Sequence, residues 1–387
     1  MERQSHGGMW MRGETIGRGS FGTVSLATAK HKSKKRRGHF PSLMAVKWAE
    51  VSRSETLQKE REILTRLQGC PHILRCYGDE ITTGNGELTY NVLLEYASGG
   101  TLSSRIKNSS GGLPEANVRR YTRSILQGLD HIHEHGYVHC DIKPQNILLV
   151  RCSFPSSSTS HNNDYIAKIA DFGSAKNTVQ EQRKRKDFHS LSLRGTPLYM
   201  SPESVAGMEQ EAPSDIWALG CVVAEMISGK PAWNCEPDMD VDELLSRIGS
   251  GKEMPKTPSE LSKEGKDFLK RCFVRTSMFR WTAAMLLHHP FVSEDPQLPN
   301  DSKVQLAGSF VEELALGGRK RRRISGSDKS SAAENGFKPE SKASITTRQE
   351  DCCSIRRLPQ LLDIELPYLW YPSELSVNKK GLGGTDH

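Results

Sequence analysis

The chain has 387 residues, 36% of them hydrophobic, enough for one large bilobed domain or two ordinary ones with polar segments attached. Its net charge of +7 is concentrated: three runs, Lys30–Arg37, Arg183–Lys186 and Arg319–Arg323, carry 15 basic residues, and the other 38 Lys and Arg face 46 Asp and Glu, a net of −8. A mildly acidic body with local basic patches argues against a nucleic-acid binder, so no nucleic-acid partner is expected.

Residues 1–9 read as an N-terminal extension without the apolar stretch of a signal peptide. From residue 10 to 97 the runs are short and β-rich. "TVSLATA" (Thr23–Ala29) and "LMAVKWAEV" (Leu43–Val51) predict strands, joined by a solvated basic stretch. "SETLQKEREILTRLQ" sets Leu57, Ile63, Leu64 and Leu67 near helical spacing with charge between them, which predicts an amphipathic helix. "TYNVLLEYA" (Thr89–Ala97) predicts a buried strand. After Gly99 and Gly100 the character turns helical, over residues 98–295. "EANVRRYTRSILQGLDHIHEHG" is a long amphipathic pattern stopped by Gly136. The short apolar runs "NILLV" and "YIAKIADFG" flank a Ser-, Asn- and Pro-rich loop. "DIWALGCVVAEMISG" is the most apolar segment, yet it is too short to span a bilayer and contains Glu225; it predicts a buried helix, and no membrane partner is expected. "SKEGKDFLKRCF" predicts a further helix. Residues 296–387 form a polar tail, predicted to be disordered to about Ser354 and broken near its end by the apolar "LPQLLDIELPYLWYP". The nine scattered cysteines contain no C-x-x-C pair and predict free thiols in a reducing compartment.

Chemistry concentrates in ordered motifs. "GRGSFGTV" (Gly17–Val24) places Gly17, Gly19 and Gly22 where backbone N–H groups can approach phosphate oxygens without a side chain in the way. A dinucleotide fold uses a similar pattern, but there a helix follows; here a strand follows, which fits a hairpin covering a nucleotide. Lys47, in the next strand, can meet the α- and β-phosphates as a point charge. A carboxylate from the following helix would hold it; Glu60 and Glu62 are both available, and the spacing favours Glu60.

"HCDIKPQN" (His139–Asn146) sets Asp141 five residues ahead of Asn146. Phosphoryl transfer needs an oriented hydroxyl, neutralised oxygens and a fixed metal. Asp141 can accept or orient the substrate hydroxyl's proton, Lys143 can offset charge growing on the γ-phosphoryl, and Asn146 can offer a neutral oxygen to Mg²⁺. "DFG" supplies an anionic ligand, Asp171, with Phe172 to set its direction.

From about Trp10 to Val292 the ordered set resembles the eukaryotic Ser/Thr protein kinases. That resemblance implies an α+β bilobed kinase fold, with a small β-rich N-lobe (10–97) and a larger helical C-lobe (98–295), and ATP and Mg²⁺ as cofactors in the cleft between them. It also implies that Leu94 is the gatekeeper, that Glu95 and Ala97 form the hinge, and that Ile16, Val24, Ala45 and Leu148 sandwich the adenine. "GTPLYMSPE" (Gly195–Glu203) resembles a substrate-binding loop with Ser201 in place of the usual Ala. Thr196 is then expected beside Asp141 and Lys143, Glu203 against Arg280, and Asp215 bracing the catalytic loop. "HCDIKPQNILL", "DFGSAK" and "GTPLYMSPE" are similar to the plant MEKK-like branch of mitogen-activated protein kinase kinase kinases. This implies protein substrates, namely mitogen-activated protein kinase kinases in a stress or hormone signalling cascade. The alternatives are a Ser/Thr kinase outside that cascade, or a pseudokinase scaffold acting through its tail.

Cys140 departs from the family pattern, in which Arg at this position holds a phosphate on the activation loop. A thiol offers no bidentate donor, so the departure predicts an enzyme that depends little on a phosphorylated loop; a redox switch at Cys140 is the rival reading. Ser190 and Ser192 remain candidate regulatory sites near "RKRK". In the tail, 319–323 reads as a nuclear-import signal, giving a cytoplasmic and nuclear location, with Ser325 a possible target of another kinase. Residues 356–367 ("RRLPQLLDIELP") resemble a docking peptide or a segment that folds back on the catalytic domain.

Overall fold

The computed structural model describes residues 7–19, 21–30, 40–84, 86–151, 165–178, 193–234 and 239–293. The chain divides into two units, 294–366 and the remainder, and every described residue belongs to the latter. Ser190, Ser192, Ser325, the runs 183–186 and 319–323, the segment 356–367 and the predicted disordered tail lie outside the described residues.

The first part of the chain forms an antiparallel sheet of β1 (Trp10–Gly19), β2 (Gly22–Ala29), β3 (Leu43–Glu50), β4 (Cys76–Gly84) and β5 (Glu87–Leu94), in the order β1-β2-β3-β5-β4. Strand alternation divides "MAVKW" between two faces. Ala45 and Lys47 share one face with Val24 and Val92, which lie opposite Lys47 on β2 and β5. Met44 and Val46 share the other with Trp10, Ala27 and Leu93, a second small core closed by Phe40, Trp48 and Tyr77. The strand expected over Thr89–Ala97 starts two residues earlier and stops at Leu94, where the chain leaves the sheet. β4 had no clear sequence signal. "CYGDEITTG" lacks apolar alternation because it is an edge strand whose Ile81 is exposed, and it is held by pairing with β5.

Helix α1 (Glu55–Arg66) buries Leu57, Glu60, Ile63 and Leu64, so its one buried acid lies on the apolar face rather than the charged one. The remainder is helical: α2 (Leu102–Lys107), α3 (Glu115–Glu134), α4 (Pro202–Gly207), α5 (Ala212–Ser228), α6 (Val241–Ser250), α7 (Lys263–Cys272) and α8 (Ala283–Leu287). Short strands β6 (Tyr137–Val138), β7 (Ile147–Arg151), β8 (Tyr165–Ile169) and β9 (Lys176–Asn177) pair as β6-β9 and β7-β8. The two lobes of the kinase fold are thus a five-stranded sheet with α1 and a helical body. The body is built around α5, whose Ile216, Trp217, Leu219, Val222, Val223 and Met226 are all buried. Each such side chain contributes roughly 1.5–3 kcal/mol. Among the described residues no helix is long and apolar enough to cross a membrane. Glu225, the acid inside that apolar helix, accepts a hydrogen bond from the Tyr199 hydroxyl at 2.7 Å.

Candidate active site

Three elements converge on Lys47. Its ammonium lies 2.7 Å from Glu60 Oε2 on α1 and 3.0 Å from Asp171 Oδ1, just beyond β8. Burial alone would drive the ammonium toward neutrality, but Asp171 and Glu60 outweigh it and hold the Lys47 pKa above its usual value. For Asp171, burial favours the neutral acid, and Lys47 reverses that, leaving the carboxylate pKa lowered. Glu62 faces away and pairs with Arg66 at 2.6 Å. Helical phase decides between the two glutamates, since position 60 shares the face of Leu57 and Leu64.

The loop of Asp141 and Asn146 is tied to the segment after β8 that carries Asp171. Ala170 N–H donates to the Asn146 carbonyl at 2.9 Å, and the His139 ring lies 3.1 Å from the Ala170 carbonyl and edge-on to Phe172, which is fully buried. Asp215, buried in α5, accepts the backbone N–H groups of His139 and Cys140, both at 2.9 Å, and a contact from His133 at 2.9 Å. These bonds fix the loop from behind. Cys140 and Asp171 both take left-handed backbone angles, φ 66° and 63°, which non-glycine residues hold only where surroundings over-determine them.

At the front, Asp141 is held at both oxygens. Thr196 Oγ1 donates to Oδ1 at 2.8 Å, while Asn146 Nδ2 donates to Oδ2 at 3.0 Å and Lys143 Nζ lies 2.9 Å from the same oxygen. Lys143 also donates to Thr196 Oγ1 at 2.7 Å. With its nitrogen committed to Asp141, Asn146 has its amide oxygen left for a cation. Behind the substrate loop, Glu203 takes a two-point pair from Arg280 at 2.6 and 3.0 Å, and the guanidinium is fully buried over Trp217.

Val24, Ala45, Leu94, Ala97 and Leu148 are buried in one hydrophobic cluster, and Ile16 packs against it half-buried. Glu95 turns its carboxylate away to Lys168 on β8, at 2.7 and 3.0 Å, so any contact it makes with a base falls to its backbone. Gly17 and Gly19 end β1, and Gly22 opens β2 with φ +140°, a conformation open to glycine. Between them Phe21 packs on Gly173 and places its ring centroid 5.9 Å from Lys47 Nζ. Among the described residues no group of three or more His, Cys, Asp or Glu could hold a metal. The donors that fit a nucleotide-bound cation are a carboxylate, Asp171, and an amide oxygen, Asn146, a hard pair that suits a divalent ion such as Mg²⁺.

Sequence reasoning passed over Phe21, His139, Lys168 and Gln210. The first two stand inside the motifs; the others act through contacts 73 and 16 residues away, which no local pattern encodes. The Cys140 thiol is partly buried, 3.6 Å from the Val138 carbonyl, and burial followed by Asp215 pushes its pKa up. A redox switch needs an accessible thiolate, and this environment disfavours one. The described cysteines are free thiols.

A family model for the protein kinase domain matches residues 10–292. Among curated proteins, mitogen-activated protein kinase kinase kinase 20 of Arabidopsis thaliana is 49% identical over 287 residues, 74% of this chain and 79% of the relative. Kinase kinase kinases 18 and 17 of the same plant are 42% and 40% identical, each over 75% of this chain and over 79% and 71% of their own lengths.

Proposed function

The chain belongs to the protein kinase family and is a Ser/Thr protein kinase similar to the plant mitogen-activated protein kinase kinase kinases; from that premise we propose that it phosphorylates mitogen-activated protein kinase kinases, with Mg²⁺ as the metal partner of ATP. The observation that carries the reading is the assembly of two charge clusters, Lys47–Glu60–Asp171 and Asp141–Lys143–Thr196, joined through Ala170 to the loop of Asn146. An intact set of this kind disfavours the scaffold alternative.

Each group then has a task. Lys47, kept charged by its two carboxylates, meets the α- and β-phosphates. Asp171 and the Asn146 amide oxygen would hold the cation, which would supply positive charge to neutralise phosphate oxygens. Asp141 orients the acceptor hydroxyl and accepts its proton as the oxygen–phosphorus bond forms and ADP departs. Lys143 offsets charge on the transferred group, and Thr196 fixes both side chains. Glu203, Arg280 and Asp215 support the geometry without touching substrate. The basic run 319–323 supports a divided cytoplasmic and nuclear location, which a fluorescent fusion with that run replaced by alanines would test.

Transfer of labelled γ-phosphate to a panel of kinase kinases tests the main reading. Asp141→Asn should lower the rate roughly 10² to 10⁴-fold, and Lys47→Met should abolish most of it. Equal signals from wild type and both variants would overturn the activity. Strong transfer to other proteins but none to kinase kinases would place the enzyme outside that cascade.

A further inference from the structure

Arg194 and the first two residues of the substrate loop, Gly195 and Thr196, are each held in a different way. Thr196 bonds Asp141 and Lys143 directly. Gly195, at φ +104°, lies so close to the catalytic loop that a Cβ there would collide with the Cys140 carbonyl oxygen. Arg194 is gripped by a side chain from the loop after α4. Its N–H donates to Gln210 Oε1 at 3.3 Å, and Gln210 Nε2 donates to its carbonyl at 2.5 Å. The Gln210 amide thus pairs with one residue's backbone as a neighbouring strand would, and the side chain is buried, 7% exposed.

The turn that carries Gln210 is held by a partly buried polar network. Met208 takes a left-handed angle, φ 51°, and turns the chain at the end of α4. Glu209 N–H returns to the Glu203 carbonyl at 3.2 Å, and the hydroxyls of Ser204 and Ser214 donate to the Glu209 carbonyl at 3.2 and 3.3 Å. Ser204 also bonds Ser201, at 2.7 Å, the residue that stands where the family has Ala. Hydrogen bonds at Glu203, Glu209 and Gln210, joined by the chain between them, therefore link Arg280 to Arg194, two residues before the Thr196 that bonds Asp141. Cys140 adds no donor to this segment, and Lys176 on β9, a cation close to it, lies 3.4 Å from Glu211.

We infer that Gln210 is a positioning residue for phosphoryl transfer: its two-point hold on Arg194 sets Thr196 against Asp141 and Lys143, taking the place of a loop phosphate bound by an Arg at position 140. The inference rests on the kinase reading and adds the residue that orders the acceptor side.

The full chain is treated with phosphatase, freed of it, and assayed with dephosphorylated casein as acceptor, alongside Gln210→Met, Gln210→Glu and Lys47→Met. Rates are expressed per nucleotide site, counted by titration with a fluorescent ADP analogue, so unfolded protein does not count. Wild type should keep most of its activity. Gln210→Met, isosteric but unable to pair, should lose about 10- to 100-fold in kcat with a higher KM for casein and an ATP KM within about twofold of wild type. Gln210→Glu keeps the acceptor for Arg194 N–H but faces a carboxylate to its carbonyl, and should fall between the two. Unchanged casein kinetics in Gln210→Met would overturn the inference, as would a wild type that loses nearly all transfer on dephosphorylation and regains it by autophosphorylation. Equal signals from wild type and Lys47→Met remove the kinase reading itself, a failure visible without any Gln210 variant.

Discussion

The two sides of the cleft are held by different forces. On the nucleotide side, one ammonium sits between two carboxylates, and both of those contacts are ionic. On the acceptor side, a neutral amide grips a backbone, and hydroxyls link the loop that aims it. The first arrangement is strong but responds to charge, since a nucleotide's phosphates must compete for Lys47. The Gln210 contact itself carries no net charge, as the inferred independence from a loop phosphate requires.

The Glu203–Arg280 pair is a charged contact behind the neutral side and tests the contrast hardest. If it is scaffolding, breaking it should cost global stability before it changes catalysis per folded molecule. Glu203→Gln leaves a fully buried guanidinium without its counter-charge, a loss of roughly 3–5 kcal/mol for a broken buried pair. Urea unfolding should show that loss. A variant with normal stability but little activity would make the pair a switch and erase the distinction.

Acid should separate the two sides as well. His72, on the loop between α1 and β4, accepts the Ile169 N–H at its carbonyl, 2.8 Å, and so supports the strand leading to Asp171. Burial, then Lys168, lowers the imidazole pKa to about 4. Folding therefore favours the neutral ring. The contribution is fully present above the unfolded pKa of about 6.5 and is lost as pH falls from there toward about 4. Asp171, also lowered, loses its share at still more acid pH. The urea midpoint should drop between pH 7 and pH 5, and His72→Gln should flatten that slope. An unchanged slope in the variant would assign the acid sensitivity elsewhere.

Thr196 probes the boundary where the neutral segment meets charge. A hydrogen bond to a charged group contributes about 1.5–3 kcal/mol. Thr196→Ala should therefore lower kcat by about 10- to 100-fold, and Thr196→Ser, which keeps the hydroxyl, should recover most of it. Equal losses in both would mean that the methyl packing, not the bond to Asp141, is what matters.

Charge was the legible part of this molecule. The residue types of the nucleotide side appear as letters at fixed spacing, and helical phase alone separates Glu60 from Glu62. β2, β3 and β5 followed from β-rich and apolar runs, α1 and α3 from amphipathic spacing, and α5 from an unbroken apolar run. The neutral side was not legible. Gln210 carries no motif, and its partner is backbone, which every residue possesses. The left-handed turn at Met208 precedes Gln210 where it meets Arg194. β4 was missed for a related reason: an edge strand stabilised by main-chain pairing needs little apolar alternation.

Phe21 gives the smallest expected effect and the finest test of the charged side. Its ring lies against Gly173 with its centroid 5.9 Å from Lys47 Nζ, within reach of a weak cation–π attraction. In that position the ring draws on the same ammonium that a nucleotide's phosphates would use, so the two would compete for it. An attraction of about 0.5–1 kcal/mol corresponds to about a two- to fivefold change in affinity. Phe21→Leu keeps apolar bulk at the hairpin tip but removes the ring's negative face, so the KM for ATP should fall by that factor while kcat hardly moves. A higher KM would reverse the sign of the argument: the ring would then cover bound phosphates rather than compete with them, and the charged side would depend on an apolar lid as well as on its ions.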